Sequence, residues 1–183
     1  MSNNFIFLAE GFEETEAITV VDLLRRASID VVTVSITGFT MVTGSHAIQI
    51  LADALFEEID FSHAELLILP GGMPGSAHLA EHKGLNDLLQ LHNKKNKNIA
   101  AICAAPTVLG KLNILQNREA ICYPGFEKDL IAANISGKTL IQDSNIITAK
   151  GPAYAVDFGL YLVQLIKGSA KAKEVADHFL YIL

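Results

Sequence analysis

Short apolar runs alternate with segments of helical period along almost the whole chain, and that alternation constrains the fold more than any other feature. A strand buried on both faces reads as an unbroken apolar run, and the helices between such strands must cover those faces. The pattern therefore predicts an α/β fold with a mostly parallel central sheet and helices on both sides. The first unit is explicit. Phe5-Ile6-Phe7-Leu8-Ala9 is a buried-type strand, Gly11 interrupts it, and residues 14–27 set Ala17, Val20, Val21, Leu24 and Ala27 along one helical stripe. Arg25 and Arg26 stand in its last turn, where cations complement the helix dipole.

Further strands are expected at 30–36, 65–69 and 99–102, and residues 47–51 read as a loop or edge strand. Helices are expected at 84–95, from Ala104 to about Lys111, and at about 153–167 and 170–181. The region 140–148 splits around Asp143-Ser144-Asn145 as an antiparallel hairpin would, so one edge of the sheet is expected to be mixed. Gly151-Pro152 ends that hairpin, with proline suited to a first helical position.

With 183 residues, half of them hydrophobic, the chain can bury one sizeable core, so a single domain over 1–183 is expected. Fourteen Lys and Arg against 20 Asp and Glu leave a net charge of -6, which offers no basic field for a nucleic-acid backbone. Met1-Ser2-Asn3-Asn4 leads straight into a strand without a signal-peptide pattern, and no apolar run reaches the ~20 residues of a membrane span. The expectation is a cytoplasmic protein without membrane or nucleic-acid partners, its two cysteines, Cys103 and Cys122, reduced.

In doubly wound sheets ligands sit beyond the carboxyl ends of the strands, so three turns matter: 10–16, 70–75 and 103–106. Ala101-Ile102-Cys103-Ala104-Ala105 has the form of a nucleophile elbow, with small residues two before and two after the reactive position. At a helix N-terminus a thiol's pKa falls below its free value of about 8.5. Taken alone, Cys103 fits a small core residue equally well. Gly71-Gly72 adds weight, since glycine lets an amide turn toward a developing oxyanion beside the amide of Ala104. Glu16 lies one helical turn before Val20 on the apolar stripe, so its carboxyl can point inward. Buried near a thiolate it should hold its proton and donate to sulfur or move a substrate proton. Dipole complementation accounts for Glu13 or Glu14.

Taken together, Leu8-Ala9-Glu10-Gly11-Phe12-Glu13-Glu14-Thr15-Glu16, Leu69-Pro70-Gly71-Gly72, Ala100-Ala101-Ile102-Cys103-Ala104-Ala105-Pro106 and Thr148-Ala149-Lys150-Gly151-Pro152 span essentially the whole chain. Through them the sequence resembles the ThiJ/PfpI superfamily, in its Parkinson disease protein 7 and YajL-like branch. The resemblance implies a flavodoxin-like three-layer sandwich and a homodimer. It implies Cys103 as a reactive, oxidation-sensitive thiol, Glu16 as its protonated partner and Gly72 and Ala104 as oxyanion amides. It also implies glyoxalase- or deglycase-like handling of small reactive aldehydes without metal or cofactor. The competing expectation is an oxidation-sensing or chaperone-like protein whose partner is an oxidant and whose Cys103 becomes a sulfinate without turnover.

A third expectation, a thiol amidase or peptidase, is disfavoured, because the peptidase branch carries a histidine directly after its cysteine where this chain has Ala104. Two departures bear on the pocket. Animal relatives often carry a histidine before a proline where this chain has Tyr123-Pro124, and Gly151-Pro152-Ala153-Tyr154 replaces Gly-Pro-Gly-Thr. With Glu13 and Gly71, the residues Tyr123, Pro124, Gly151, Pro152 and Tyr154 are the expected pocket lining. His46, His63, His78, His82, His92 and His178 fall in no catalytic motif and are expected at the surface. Cys122 is expected to be structural, near the pocket or dimer surface, since no C-x-x-C spacing links it to Cys103.

Overall fold

A computed structural model describes residues 3–182. Its centre is a seven-stranded sheet built from β1 (Asn4–Leu8), β2 (Val31–Ser35), β5 (Ala54–Leu55), β6 (Leu66–Leu69), β7 (Asn98–Ile102), β10 (Leu140–Asp143) and β11 (Ile146–Ala149). The spatial order is β10-β11-β7-β6-β1-β2-β5. Every neighbouring pair is parallel except β10 with β11, the antiparallel hairpin at one edge. From β1 the chain builds outward in one direction through β2 and β5, and in the other through β6, β7 and β11. The order reverses between β1 and β6, which is where such sheets open a crevice for ligands.

Alternation along each strand divides the core into two layers. Ile6 and Leu8 of β1, Leu66 and Ile68 of β6, and Ala100 and Ile102 of β7 face one side. There they meet α1 (Glu14–Arg26), α5 (Ala155–Lys167) and α6 (Ser169–His178). Phe5, Phe7, Leu67, Leu69, Ile99 and Ala101 face the other, toward α2 (Gly75–Glu81), α3 (Lys83–Lys94) and α4 (Pro106–Lys111). The helix α1 packs closely on α5, because Gly159 leaves no room for a β-carbon, which would stand 2.6 Å from Leu23 Cδ1.

Residues 47–51 resolve into β4 (Gln49–Leu51), which pairs antiparallel with β3 (Met41–Thr43) as a ribbon outside the main sheet. A second short pair, β8 (Glu119–Ala120) with β9 (Asn134–Ile135), also lies outside it. One helix, α2, has no counterpart among the expected elements, because Pro74-Gly75 and the short stretch after it lack a long apolar stripe. Two expectations need correction. The helix expected from Ala104 begins at Pro106, where proline fits the first turn. His92 is buried rather than at the surface, its Nε2 3.3 Å from the Glu65 carbonyl. Among the described residues no helix is long and apolar enough to cross a membrane.

Candidate active site

Three strand ends converge where the sheet order reverses. After β7 the chain turns at Cys103, whose φ of 65° lies in the left-handed region that side chains rarely adopt. The strain is held by hydrogen bonds on both sides. The Cys103 amide donates to the Ala149 carbonyl at the end of β11 (2.9 Å), and its own carbonyl accepts from the Tyr123 amide (2.7 Å). Thr107 Oγ1 donates to the Ala104 carbonyl (2.7 Å), pinning the turn that leads into α4. A cysteine held at positive φ between a strand and a helix is the geometry of a nucleophile elbow. The backbone amides of Gly72 and Ala104 favour its thiolate form. Cys103 is buried, with 8% of its surface exposed.

Glu16, on the first turn of α1, is fully buried, and its Oε2 accepts from the Gly71 amide at 2.7 Å. Its Oε1 is also buried and has no hydrogen-bond partner, and the Cys103 thiol is the side chain that most offsets its burial. Gly71 makes the pairing possible. A β-carbon there would lie 2.6 Å from both Cys103 Cβ and Glu16 Oε2. Gly72, at φ 90°, passes so close to the Glu13 amide and the Gly11 carbonyl that a side chain cannot fit.

Burial, helped by the charge of Glu13, raises the Glu16 carboxyl to about 7 against the Cys103 and Gly71 hydrogen bonds. Beside an ionised Glu16, burial and then that charge push the Cys103 thiol up to about 12, while the Gly72 and Ala104 amides pull it down. Two anions cannot share so dry a site, so it holds one. A charge on sulfur would have two amide donors to hold it, whereas a charge on the carboxylate has one, the Gly71 amide.

Glu14 turns out to be a structural clasp rather than a simple dipole complement. It is buried, and its Oε1 accepts from the backbone amides of His46 (2.8 Å) and Ile48 (3.3 Å). Its Oε2 meets His46 Nδ1 at 2.9 Å and Ser45 Oγ at 3.3 Å, tying the β3–β4 ribbon to α1. Burial pushes this carboxyl upward, but the His46 side-chain bond and the backbone bonds outweigh it and lower the pKa to about 2. A carboxyl more acidic in the folded state than at 4.5 contributes stability that is present above pH 4.5 and is lost as pH falls through about 2. Glu14→Gln is therefore expected to lower the thermal midpoint at pH 7 and to flatten its decline between pH 5 and 2, as scanning calorimetry across that range would read. Equal acid sensitivity in the two proteins would rule out this role.

Glu13 sits beside the crevice, its amide on the Gly71 carbonyl (2.9 Å) and its Oε2 accepting from Ser45 Oγ (3.2 Å). Ligand atoms of Glu13, Glu14 and His46 lie within 4.8 Å of one another. Glu14 is already satisfied by hydrogen bonds, and the positive end of α1 disfavours a cation there, so the group reads as the clasp. The sequence gives Ser45 no role and His46 only a place at the surface. They lie 31 and 32 residues from Glu14, and no local pattern signals the contact.

Of the other expected lining residues, Tyr123 is exposed, with its ring against Gly151, and Pro124 is exposed beside it. Pro152–Tyr154 forms a 3₁₀ turn in which the Tyr154 amide bonds the Gly151 carbonyl (2.9 Å). Cys122 is buried in the opposite core layer, apart from the pair.

Comparison with known proteins points the same way as the geometry. The DJ-1/PfpI family pattern matches residues 4–165. The chain is 36% identical to Protein dj-1beta of Drosophila melanogaster, over 96% of this chain and 95% of that one. It is 30% identical to the "Glutathione-independent glyoxalase DJR-1.2" of Caenorhabditis elegans, over 91% and 89%. Among solved structures, "Toxoplasma gondii DJ-1, oxidized" superposes with a TM-score of 0.95 at 31% identity, covering all of both chains.

Proposed function

Because this chain belongs to the DJ-1/PfpI family, we propose that it is a cofactor-independent enzyme acting on small 2-oxoaldehydes through Cys103 and Glu16. The observation that carries this reading is a strand-end cysteine at φ 65° beside the fully buried Glu16 carboxyl, with the Gly72 and Ala104 amides favouring its thiolate. A relative of 30% identity bears the name of a glutathione-independent glyoxalase, which supports the same chemistry.

The Cys103 thiolate attacks the aldehyde carbon, an S–C bond forms, and the oxygen takes the Glu16 proton to give a hemithioacetal. The Glu16 carboxylate then removes the hydrogen of that carbon as a proton and delivers it to the neighbouring carbon, while the hemithioacetal hydroxyl proton passes to the neighbouring oxygen, so the ketone becomes an alcohol and the first carbon a carbonyl. The product is a thioester of a 2-hydroxy acid. Water cleaves the thioester, releasing the acid and restoring thiolate and protonated Glu16. One carbon is oxidised from aldehyde to acid and the next reduced from ketone to alcohol, so no external oxidant or reductant is consumed. The Gly72 and Ala104 amides hold the negative charge that passes between sulfur and oxygen. The test is lactate formation from methylglyoxal without glutathione, set against Cys103→Ser.

A second reading, redox sensing, draws support from the contrast between the two thiols. Cys122 is pushed up to about 12 by burial and then by the charges of Glu127 and Asp129, without amide donors to offset them. The Cys103 sulfur has two such donors and a proton-bearing neighbour to hold a sulfinate. Mild peroxide is expected to add two oxygens to Cys103 and none to Cys122, by peptide mass spectrometry. Equal oxidation of both would discard this reading.

A further inference from the structure

The turn that leads into α1 is shared between the candidate site and the β3–β4 ribbon. On the ribbon side, the Gly11 amide donates to the Thr43 carbonyl (2.8 Å) and the Ser45 amide to the Phe12 carbonyl (2.8 Å). On the site side, Gly71 is held at both of its peptide groups. Its carbonyl accepts from the Glu13 amide (2.9 Å), and its amide donates to Glu16 Oε2 (2.7 Å). Glu13 and Glu16 stand three residues apart, a spacing that makes them neighbours at the start of a helix. The Glu13 side chain turns back to the ribbon, where His46 Nδ1 lies 3.7 Å from Glu13 Oε2, 2.9 Å from Glu14 Oε2 and 3.1 Å from Ser45 Oγ. Glu10 also reaches the ribbon, accepting from the Thr43 amide (3.2 Å). A carboxylate can only accept, so Nδ1 of His46 carries a hydrogen whether the ring is neutral or charged. Loss of the other ring proton, on a side chain that is largely exposed, removes a charge and keeps the hydrogen bond. The groups acting on His46 are Glu14 and Glu13, which favour its charged form, and those acting on Glu16 are Cys103 and Glu13. Glu13 is common to both sets.

On the reading that Cys103 and Glu16 share one anion, we propose that His46 is a positioning residue for this site: its imidazolium offsets the Glu13 charge beside the pair, so that Cys103 becomes reactive at a lower pH than Glu13 alone would allow. The sign follows from the charges. A carboxylate next to a site that must gain an anion makes the proton there harder to remove, and a cation against that carboxylate returns part of the loss. When His46 loses its charge the ribbon keeps its hydrogen bonds, and only this electrostatic help disappears.

The test needs no turnover. It compares the pH midpoint of iodoacetamide labelling at Cys103 in the wild type, His46→Asn and Glu13→Gln, with circular dichroism as the control for folding. Asparagine keeps a donor close to the Nδ1 position and lacks the charge. At low salt His46→Asn is expected to move the midpoint up by about half a pH unit, the scale of one partly screened charge, and Glu13→Gln to move it down by a similar amount. The His46→Asn shift is expected to shrink between about 0.01 and 1 M salt, as the screening length falls from about 30 to 3 Å. Opposite signs and salt sensitivity are what a purely structural role cannot produce. Upward shifts in both variants mark a loosened ribbon and overturn the proposal. A wild-type midpoint below about 8.5 that His46→Asn leaves unchanged overturns the role of His46 alone. Wild-type labelling that begins only toward pH 12 overturns the shared anion and this role together.

Discussion

Replacing Cys103 by serine is expected to lower lactate formation from methylglyoxal on the order of a thousand-fold or more while leaving the fold intact, as removal of a nucleophile does elsewhere. Serine is close to cysteine in size, and its hydroxyl can accept from the same Gly72 and Ala104 amides that favour the thiolate. What it lacks is an accessible anion. The nearby carboxyl is a weak base shielded from water, with no histidine behind it, so a hydroxyl at this site stays protonated. Unchanged circular dichroism with lost turnover assigns the loss to chemistry; turnover close to wild type would show that the sulfur is not the nucleophile.

Glu16→Gln has the second-largest expected effect. Glutamine preserves shape, since its carbonyl can accept from the Gly71 amide and its NH₂ can donate toward sulfur. It can neither release nor take up a proton at neutral pH. Each proposed turnover needs both, first to quench the aldehyde oxygen and then to carry hydrogen between adjacent carbons. A drop of about 10²–10⁴-fold in kcat is expected, the usual reach of a positioned acid–base group. Cys103 should remain open to alkylation in this variant. Loss of alkylation together with turnover would make Glu16 a support for the elbow rather than a proton carrier.

Much of this arrangement was legible in the residues because it rests on local rules. The unbroken run Phe5 to Ala9 can be apolar on both sides only if helices cover both faces, as they do. Small residues around Cys103 announce a tight turn, and its φ of 65° is that turn. Glu16 on the apolar stripe of its helix had to point inward. Other features depend on contacts between distant segments. The β3–β4 ribbon takes its place from Glu14, more than 30 residues away in sequence, so residues 47–51 read alone as an edge or loop. His92 looks polar in sequence, yet the Glu65 carbonyl and the α3 packing draw it inside. The balance between burial and amide donors at Cys103 follows from the crossing of three strand ends, which no single stretch of sequence contains.

The central claim is that one buried negative charge resides on the Cys103 sulfur, with the proton on Glu16. It is tested most directly by the pH dependence of iodoacetamide labelling at each cysteine, resolved by peptide mass spectrometry. Cys103 labelling is expected to plateau with an apparent pKa below the free-thiol value of about 8.5, with Cys122 unlabelled over the same range. If both thiols instead begin to react only toward pH 12, the charge sits on the carboxylate and the account of this site is wrong.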